Sequence, residues 1–103
     1  MTLNDSRLEL HELLLNICPN VYYQPPASIK MTYPCIVYNL SDIDKANASN
    51  VMYKKDHRYM LTYITKNAVD EVVDQLVELS FCVYDRYYSA DNLHHHTFTI
   101  YYK

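Results

Sequence analysis

Residues 57–65 read His-Arg-Tyr-Met-Leu-Thr-Tyr-Ile-Thr, a stretch rich in β-branched and aromatic side chains. This composition is typical of a β-strand. A second strand signal, Cys-Ile-Val-Tyr-Asn-Leu, covers residues 35–40 and follows Tyr33-Pro34, which favours an extended backbone. The two stretches are long enough to pair, and we expect them to form the centre of a sheet.

Three more strands are predicted around this pair. Residues 20–24 form a short strand that two prolines bring to an end. Residues 81–88 and 94–102 form the other two strands and should make a terminal hairpin. Asp91 and Asn92 lie between them and tolerate the backbone conformations that glycine would normally adopt in a turn.

Apolar residues recur at helical spacing in two places. The first set predicts a helix from Asp5 to Ile17, which must end by Pro19 because proline cannot supply a helical N–H. Asn67 can cap a second helix. One stripe of this helix should pack in the core, and its members are Val69, Val72, Val73, Leu76 and Leu79.

The complete pattern predicts a single α+β domain over residues 1–103. Its sheet is mainly antiparallel, both helices pack on one face, and the order is α-β-β-β-α-β-β. The chain has no glycine, which excludes Gly-rich phosphate loops, the dinucleotide fingerprint and the nucleophile elbow. Several large enzyme classes are excluded with these motifs.

Nine basic and twelve acidic residues give a formal net charge of -3. The protein therefore lacks the general positive field that attracts nucleic-acid phosphates. No apolar run approaches the ~20 residues of a membrane span, and the first residues lack a signal-peptide pattern, so we expect neither a membrane partner nor secretion. Three cysteines without a Cys-x-x-Cys spacing favour reduced, packed thiols over disulfides.

Residues 41–55 are polar and have no apolar periodicity of their own. We expect a long, exposed hairpin connection that is mobile in the isolated subunit and becomes ordered against a neighbouring subunit. The predicted interface residues of this segment are Asp42, Asp44, Lys45, Tyr53, Lys54 and Lys55.

Twelve tyrosines are the compositional outlier, and six of them form the adjacent pairs Tyr22-Tyr23, Tyr87-Tyr88 and Tyr101-Tyr102. Neighbouring strand residues face opposite sides, so each pair should put one ring in the core and one on the outer surface. Exposed tyrosines favour protein interfaces, and Tyr87, Tyr88 and Tyr101 are the candidates. They could instead serve strand propensity alone, or stack on single-stranded bases. No basic residue falls between Tyr87 and Tyr102, and a chain without glycine cannot hold an RRM-like signature, so binding of bases is disfavoured.

His94-His95-His96 raises the question of a metal site, because His94 and His96 should share one strand face. Two imidazoles do not complete a zinc site, which needs about four ligands. We therefore predict that His94 and His96 serve the fold or an interface, with no catalytic residue, cofactor or metal. A cysteine nucleophile beside His11, His57 or this run is an alternative that no spacing supports.

Several segments of the sequence together resemble the small tail terminator, or tail completion, proteins of long-tailed bacteriophages. The resemblance spans nearly the whole chain and contains no catalytic signature. The segments are Asn20-Val21-Tyr22-Tyr23-Gln24-Pro25-Pro26, Tyr33-Pro34-Cys35-Ile36-Val37-Tyr38, Tyr59-Met60-Leu61-Thr62-Tyr63-Ile64, Tyr84-Asp85-Arg86-Tyr87-Tyr88 and Asp91-Asn92-Leu93-His94-His95.

The resemblance implies a structural protein of the virion tail or neck, assembled in the host cytoplasm, and not an enzyme. It implies α+β subunits that close into a six-membered ring on the tail tube and join it to the head-tail connector. Genome DNA would pass through the ring without sequence-specific binding. Two alternatives remain: a head-completion or connector subunit of the same neck, and a small metal-dependent or cysteine enzyme.

Overall fold

The computed structural model describes residues 3–45, 55–67 and 71–102. Within these ranges the chain forms two helices and five strands in the predicted order, so the α+β prediction is confirmed. The elements are α1 (Leu3–Leu15), β1 (Val21–Tyr23), β2 (Cys35–Lys45), β3 (Lys55–Thr65), α2 (Glu71–Val77), β4 (Cys82–Ala90) and β5 (Leu93–Tyr102).

The five strands form one sheet in the order β1-β2-β3-β5-β4. All neighbours are antiparallel except β1 and β2, which are parallel. The central strand is β3, and its Tyr59 lies opposite Leu40 of β2 and Ile100 of β5. The prediction that the two strongest strand signals pair at the centre of the sheet is confirmed.

The two central strands are longer than the sequence predicted. Pairing continues past Leu40 through Asp42 opposite Arg58 to Lys45 opposite Lys55. The predicted connection over residues 41–55 was therefore wrong at both of its ends, and Asp42, Asp44, Lys45 and Lys55 lie in strands. A hairpin ladder is held by backbone hydrogen bonds, so it can extend past the core without apolar periodicity. Tyr53 and Lys54 lie outside the described residues.

The terminal hairpin closes through a two-residue turn at Asp91 and Asn92, as the sequence predicts. Their φ angles are 54° and 62°, in the left-handed region that asparagine and aspartate tolerate best after glycine. A turn with two such residues matches the twist of the flanking strands. Because of it, β4 and β5 extend to Ala90 and Leu93, beyond the predicted strand ends.

Both helices differ from their predicted bounds. The first begins and ends two residues early, and single turns follow it, in which the Cys18 N–H donates to the Leu14 carbonyl at 2.9 Å. The described part of the second helix is Glu71–Val77, so the helix ends before Leu79, the last member of the predicted stripe. Residues 68–70, which include Val69, lie outside the described residues. The prediction that Asn67 caps this helix therefore stays a prediction.

The core lies between the helices and one face of the sheet. Leu10 and Leu14 of α1 and Leu76 of α2 are fully buried there, which confirms that both helices cover the same face. We call this side of the sheet the inner face and the opposite side the outer face. The sheet's buried contribution to the core is Ile36, Tyr38, Tyr59, Leu61, Tyr63, Cys82, Phe98, Ile100 and Tyr102.

Tyrosines form an unusually large part of this core. The Tyr59 hydroxyl is buried and finds no hydrogen-bond partner among the described residues, and burial raises its pKa to about 12. Tyr102 is different, because its hydroxyl donates to the Glu9 carboxylate on α1. Burial, with this hydrogen bond, raises the pKa of Tyr102 to about 12. The last strand is thereby tied to the first helix.

We expect Leu76→Ala to lower the free energy of unfolding by about 2–5 kcal/mol, because it removes a fully buried side chain and leaves a cavity. Chemical denaturation measures this. The matched control is Val77→Ala in the same helix, where the side chain is half exposed and the change should stay below about 1 kcal/mol. Equal effects at the two positions would contradict the assignment of the buried helix face.

We expect Tyr59→Phe to leave stability unchanged or slightly higher at pH 7, because it removes a buried hydroxyl that has no hydrogen-bond partner among the described residues. The folded state holds the Tyr59 proton more tightly than the unfolded state, where the pKa is 10.0. Its contribution is therefore complete below pH 10 and is lost as the pH rises toward 12. Urea denaturation from pH 9 to 12 should show a smaller loss of stability in the variant than in the parent.

Tyr102→Phe is the control for this comparison, since it removes the hydroxyl that donates to Glu9. We expect it to cost about 1 kcal/mol at pH 7. If Tyr59→Phe were as destabilising as Tyr102→Phe at neutral pH, the Tyr59 hydroxyl would have a partner after all.

Candidate functional site

The predicted interface residues fall at two opposite ends of the sheet. Because β3 and β5 are antiparallel, Thr65 lies opposite His94 and His57 lies opposite Tyr102. The β2–β3 hairpin, with the backbone of Asp42, Asp44, Lys45 and Lys55, thus ends far from the tip of the terminal hairpin. The structure does not bring the two groups together.

Tyr87, Tyr88, His94 and His96 gather at the end of the terminal hairpin. Tyr87 and Tyr88 are 47% and 38% exposed, so the prediction that one of them enters the core was wrong. Nearly all of β4 is exposed, so the helices do not cover this part of the hairpin, and a ring on either of its faces is accessible to solvent. We call residues 84–97 the hairpin tip.

The other two tyrosine pairs differ from this one. Tyr101 is exposed on the outer face while Tyr102 is buried on the inner face, as predicted. Tyr22 and Tyr23 are both partly buried. Tyr22 accepts a hydrogen bond from the Thr32 N–H at 3.1 Å, which places the loop after β1 against this ring.

On the inner face of the hairpin tip, two tyrosines and two histidines form a connected cluster. The Tyr87 hydroxyl lies 2.6 Å from His94 Nδ1, and the Tyr84 hydroxyl lies 3.0 Å from His96 Nδ1. The Tyr87 ring stacks on His94 and also touches His96, with centroids 5.8 and 5.1 Å apart. The register confirms that His94 and His96 share a face.

On the outer face of the same tip, His95 stacks on Tyr88. Their centroids are 4.7 Å apart and their planes differ by 13°. The Arg86 guanidinium lies 5.4 Å from the Tyr88 ring centre, a cation–π distance. Aromatic side chains are therefore held in place on both faces of the tip, which lowers the entropy that they would lose on binding a partner.

The cluster offers few groups to a metal ion. His94 and His96 each direct Nδ1 to a tyrosine hydroxyl. Within residues 3–45, 55–67 and 71–102, no three histidine, cysteine or carboxylate side chains converge to hold a metal. Two imidazoles are fewer ligands than zinc requires.

The cysteines are poor nucleophiles in their surroundings. Burial raises the pKa of the Cys35 thiol to about 11 and that of Cys82 to about 12, so both stay protonated at neutral pH. Cys18 is buried as well and directs Sγ toward the Pro34 carbonyl at 3.7 Å. His11 lies beside Tyr38, with Nδ1 2.7 Å from the hydroxyl, and burial lowers its pKa.

The outer face carries functional candidates that the sequence analysis did not single out. Met60 and Val83 are each 51% exposed, and both pair with Thr99, so the three form one row across the sheet. The Arg58 guanidinium lies 5.5 Å from the ring centre of Tyr101. Strict alternation along β3 could have revealed Met60, because it lies between the buried Tyr59 and Leu61.

A register shift marks β4 between Tyr84 and Arg86, which makes Asp85 an extra residue in the strand. The Asp85 carboxylate accepts a hydrogen bond from the Thr99 hydroxyl at 2.7 Å. The bulge thus places Asp85 and Arg86 on the outer face, while Tyr87 returns to the inner face.

The helical side of the molecule is rich in carboxylates. Arg7 lies over the Tyr23 ring at 4.5 Å. The carboxylates of the helical side are exposed, and they belong to Asp5, Glu9, Glu12, Glu71, Asp74 and Glu78. Neither helix, as described, is long and apolar enough to cross a membrane.

No protein-family model and no curated protein sequence matches this chain.

We expect His94→Asn/His96→Asn to lower the free energy of unfolding by about 1 kcal/mol, because it removes two exposed hydrogen bonds and the ring stacking of the inner-face cluster. The metal content of the tag-free protein should not change. Thermal unfolding and elemental mass spectrometry measure the two quantities. His95→Asn, on the other face, is the control. Stoichiometric zinc in the parent that disappears in the double variant would contradict this prediction.

Proposed function

We propose that the chain is a structural virion protein, a tail terminator that forms a six-membered ring on the tail tube. It joins the tube to the head-tail connector and leaves a passage for DNA. Its place is the neck of the virion, with assembly in the host cytoplasm. Its role in this proposal is mechanical and uses no catalytic residue, cofactor or metal.

The observation that carries the proposal is the fixed, exposed aromatic surface of the hairpin tip. Tyr84, Tyr87 and Tyr88 are exposed, and each packs against a histidine ring. Tyrosine combines a large apolar area with a hydroxyl that can hydrogen bond, so it is favoured at protein interfaces. A domain with such a surface is suited to contact with other proteins of an assembly.

The resemblance to tail terminators supports the same proposal. Its segments fall on β1, on β2, on β3 and on the terminal hairpin, so they follow the whole sheet. The turn residues Asp91 and Asn92 belong to it and have the left-handed backbone that the short turn requires. The resemblance thus involves the residues that build the framework of the fold.

The charge distribution supports passage of DNA without binding. The net charge is -3, and carboxylates outnumber cations on the helices. A protein that releases few counterions from phosphates gains little affinity for DNA. Such a surface would let the genome move past it without adhering.

Two measurements test the proposal. Native mass spectrometry of the protein, alone and with isolated tail tubes, should show a species with six times the mass of the 12.2 kDa chain. Immunogold labelling of virions should place the protein where the tail meets the head. Labelling on tail-less heads would favour a head-completion or connector subunit. A chain that neither assembles nor labels the neck would overturn the proposal.

A further inference from the structure

One side of β4 carries backbone groups that no other described strand binds. Among the described strands, β4 lies at the margin of the sheet and pairs only with β5. The side chains of residues 83–89 are all exposed. A strand margin of this kind fits another extended strand, because its N–H and C=O groups stand in a row and need hydrogen-bond partners. We call this row the β4 edge.

The pairing with β5 shows which residues form the β4 edge. The Tyr101 N–H donates to the Phe81 carbonyl at 2.9 Å, so the backbone groups of Phe81 point to β5. Ala90 pairs with Leu93 across the two-residue turn, so its groups also point to β5. The backbone groups of alternate residues point to opposite sides of a strand, and Asp85 is the extra residue of the bulge. Four residues are left with groups that point outward, and they are Cys82, Tyr84, Tyr87 and Ser89.

The spacing of these four residues reads the same in both directions. The bulge separates Tyr84 from Tyr87 by three positions, whereas the steps to Cys82 and Ser89 are of two. A regular strand presents outward groups at every second residue, so it falls out of register with the β4 edge at the bulge. A second β4 that runs antiparallel has the same spacing. In one register it places Cys82 opposite Ser89 and Tyr84 opposite Tyr87, and all four residues of each copy are then paired.

The charges of β4 are complementary in the same register. Asp85 and Arg86 are the charged side chains of this strand, and both lie on the outer face. Asp85 of each copy comes opposite Arg86 of the other, so two equivalent ion pairs form. A carboxylate accepts several hydrogen bonds, and Asp85 can therefore keep its bond to Thr99. The nearest carboxylates beyond the strand, those of Glu78 and Asp91, lie outside the paired residues.

The apolar side chains also meet their equivalents. Val83 comes opposite Tyr88 on the outer face, and Tyr84 comes opposite Tyr87 on the inner face. All four are between 38% and 51% exposed in the single chain. Opposite side chains of an antiparallel pair have Cβ atoms about 4.5–5.5 Å apart, so these rings and the valine come into contact.

We propose that two copies of this chain pair through their β4 edges, antiparallel and in this register, and join their two sheets into one. A second copy is the occupant because its β4 repeats both the irregular spacing of the backbone groups and the opposite charges. The contact is the same on both copies, so the pair is closed. The inference goes beyond the proposed function, because it describes the free chain before it joins a ring.

Ser89→Pro tests the backbone contact. The Ser89 N–H points away from β5, so proline removes a donor of the β4 edge and leaves the β4–β5 hydrogen bonds intact. Each pair loses two donors, and self-association in analytical ultracentrifugation should weaken by about tenfold or more. Ser89→Ala keeps the N–H and should associate like the parent. Circular dichroism verifies the fold, and a folded proline variant that pairs like the parent would overturn the proposal.

Charge reversal tests the register. Arg86→Glu places two acidic residues of each copy opposite two of the other, and Asp85→Arg does the same with basic residues, so each variant alone should associate more weakly than the parent. Mixed in equal amounts, the two variants again oppose unlike charges and should form a species of two chains. A mixture that pairs no better than either variant alone would contradict this register.

A disulfide can trap the pair directly. Val83 and Tyr88 come opposite each other between hydrogen-bonded positions, where Cα atoms lie about 4.5 Å apart, within the range of a disulfide. A mixture of Val83→Cys and Tyr88→Cys chains, oxidised with glutathione disulfide, should give a covalent species of twice the 12.2 kDa mass. The matched control mixes Val83→Cys with Ile29→Cys, at an exposed site outside β4, and should give much less.

Equal trapping in both mixtures would overturn the pairing, and so would a parent chain that sediments as a monomer. Neither result decides the proposed function, which immunogold labelling of the neck tests separately.

Discussion

The burial of alternate residues along β3 is the constraint on which the rest of the structure depends. Tyr59, Leu61 and Tyr63 are fully enclosed on the inner face, with hydrogen-bonded neighbours on both sides of the strand. A slip of one residue would bring Met60 and its neighbours inward and expose all three. The hydrophobic effect thus fixes the register of β2 and β5 together with that of β3.

The same alternation also decides which residues of β3 lie on the outer face. Every residue that β3 turns inward leaves a neighbour turned outward, and two short helices cover only the inner side. Met60 is consequently exposed on the outer face, between the buried Tyr59 and Leu61. The alternation along β3 therefore determines both the packing of the inner face and the exposure of the outer face.

Much of this fold could be predicted from the sequence because strong local signals coincide with buried positions. Residues 35–40 and 57–65 lie in the central strands, and Leu76 is in the core. The extension of β2 to Lys45 could not be predicted. Backbone hydrogen bonds hold this part of the strand, and they do not require the alternation of apolar and polar residues by which a strand is recognised in a sequence. The exposure of both Tyr87 and Tyr88 also escaped prediction, because it depends on where the helices end in space.

The candidate site was predictable only in part for a related reason. The shared face of His94 and His96 follows from strand alternation alone. Their tyrosine partners depend on the register between β4 and β5, which shifts by one residue at the bulge. The stacking of Arg58 and Arg86 on rings depends on residues distant in sequence. Side-chain partners of this kind can be identified only when the pairing and register of the strands are known.

The bulge at Asp85 has a consequence for how the molecule behaves when crowded. In the described part of the chain, β4 is the strand at one margin of the sheet, with a row of backbone groups facing away from it. A straight margin of this kind can recruit strands from other molecules without limit and lead to fibrous aggregation. The extra residue interrupts the regular spacing of those groups and places two charged side chains beside them. The bulge therefore disfavours the uncontrolled addition of strands from other copies to the β4 edge at high protein concentration.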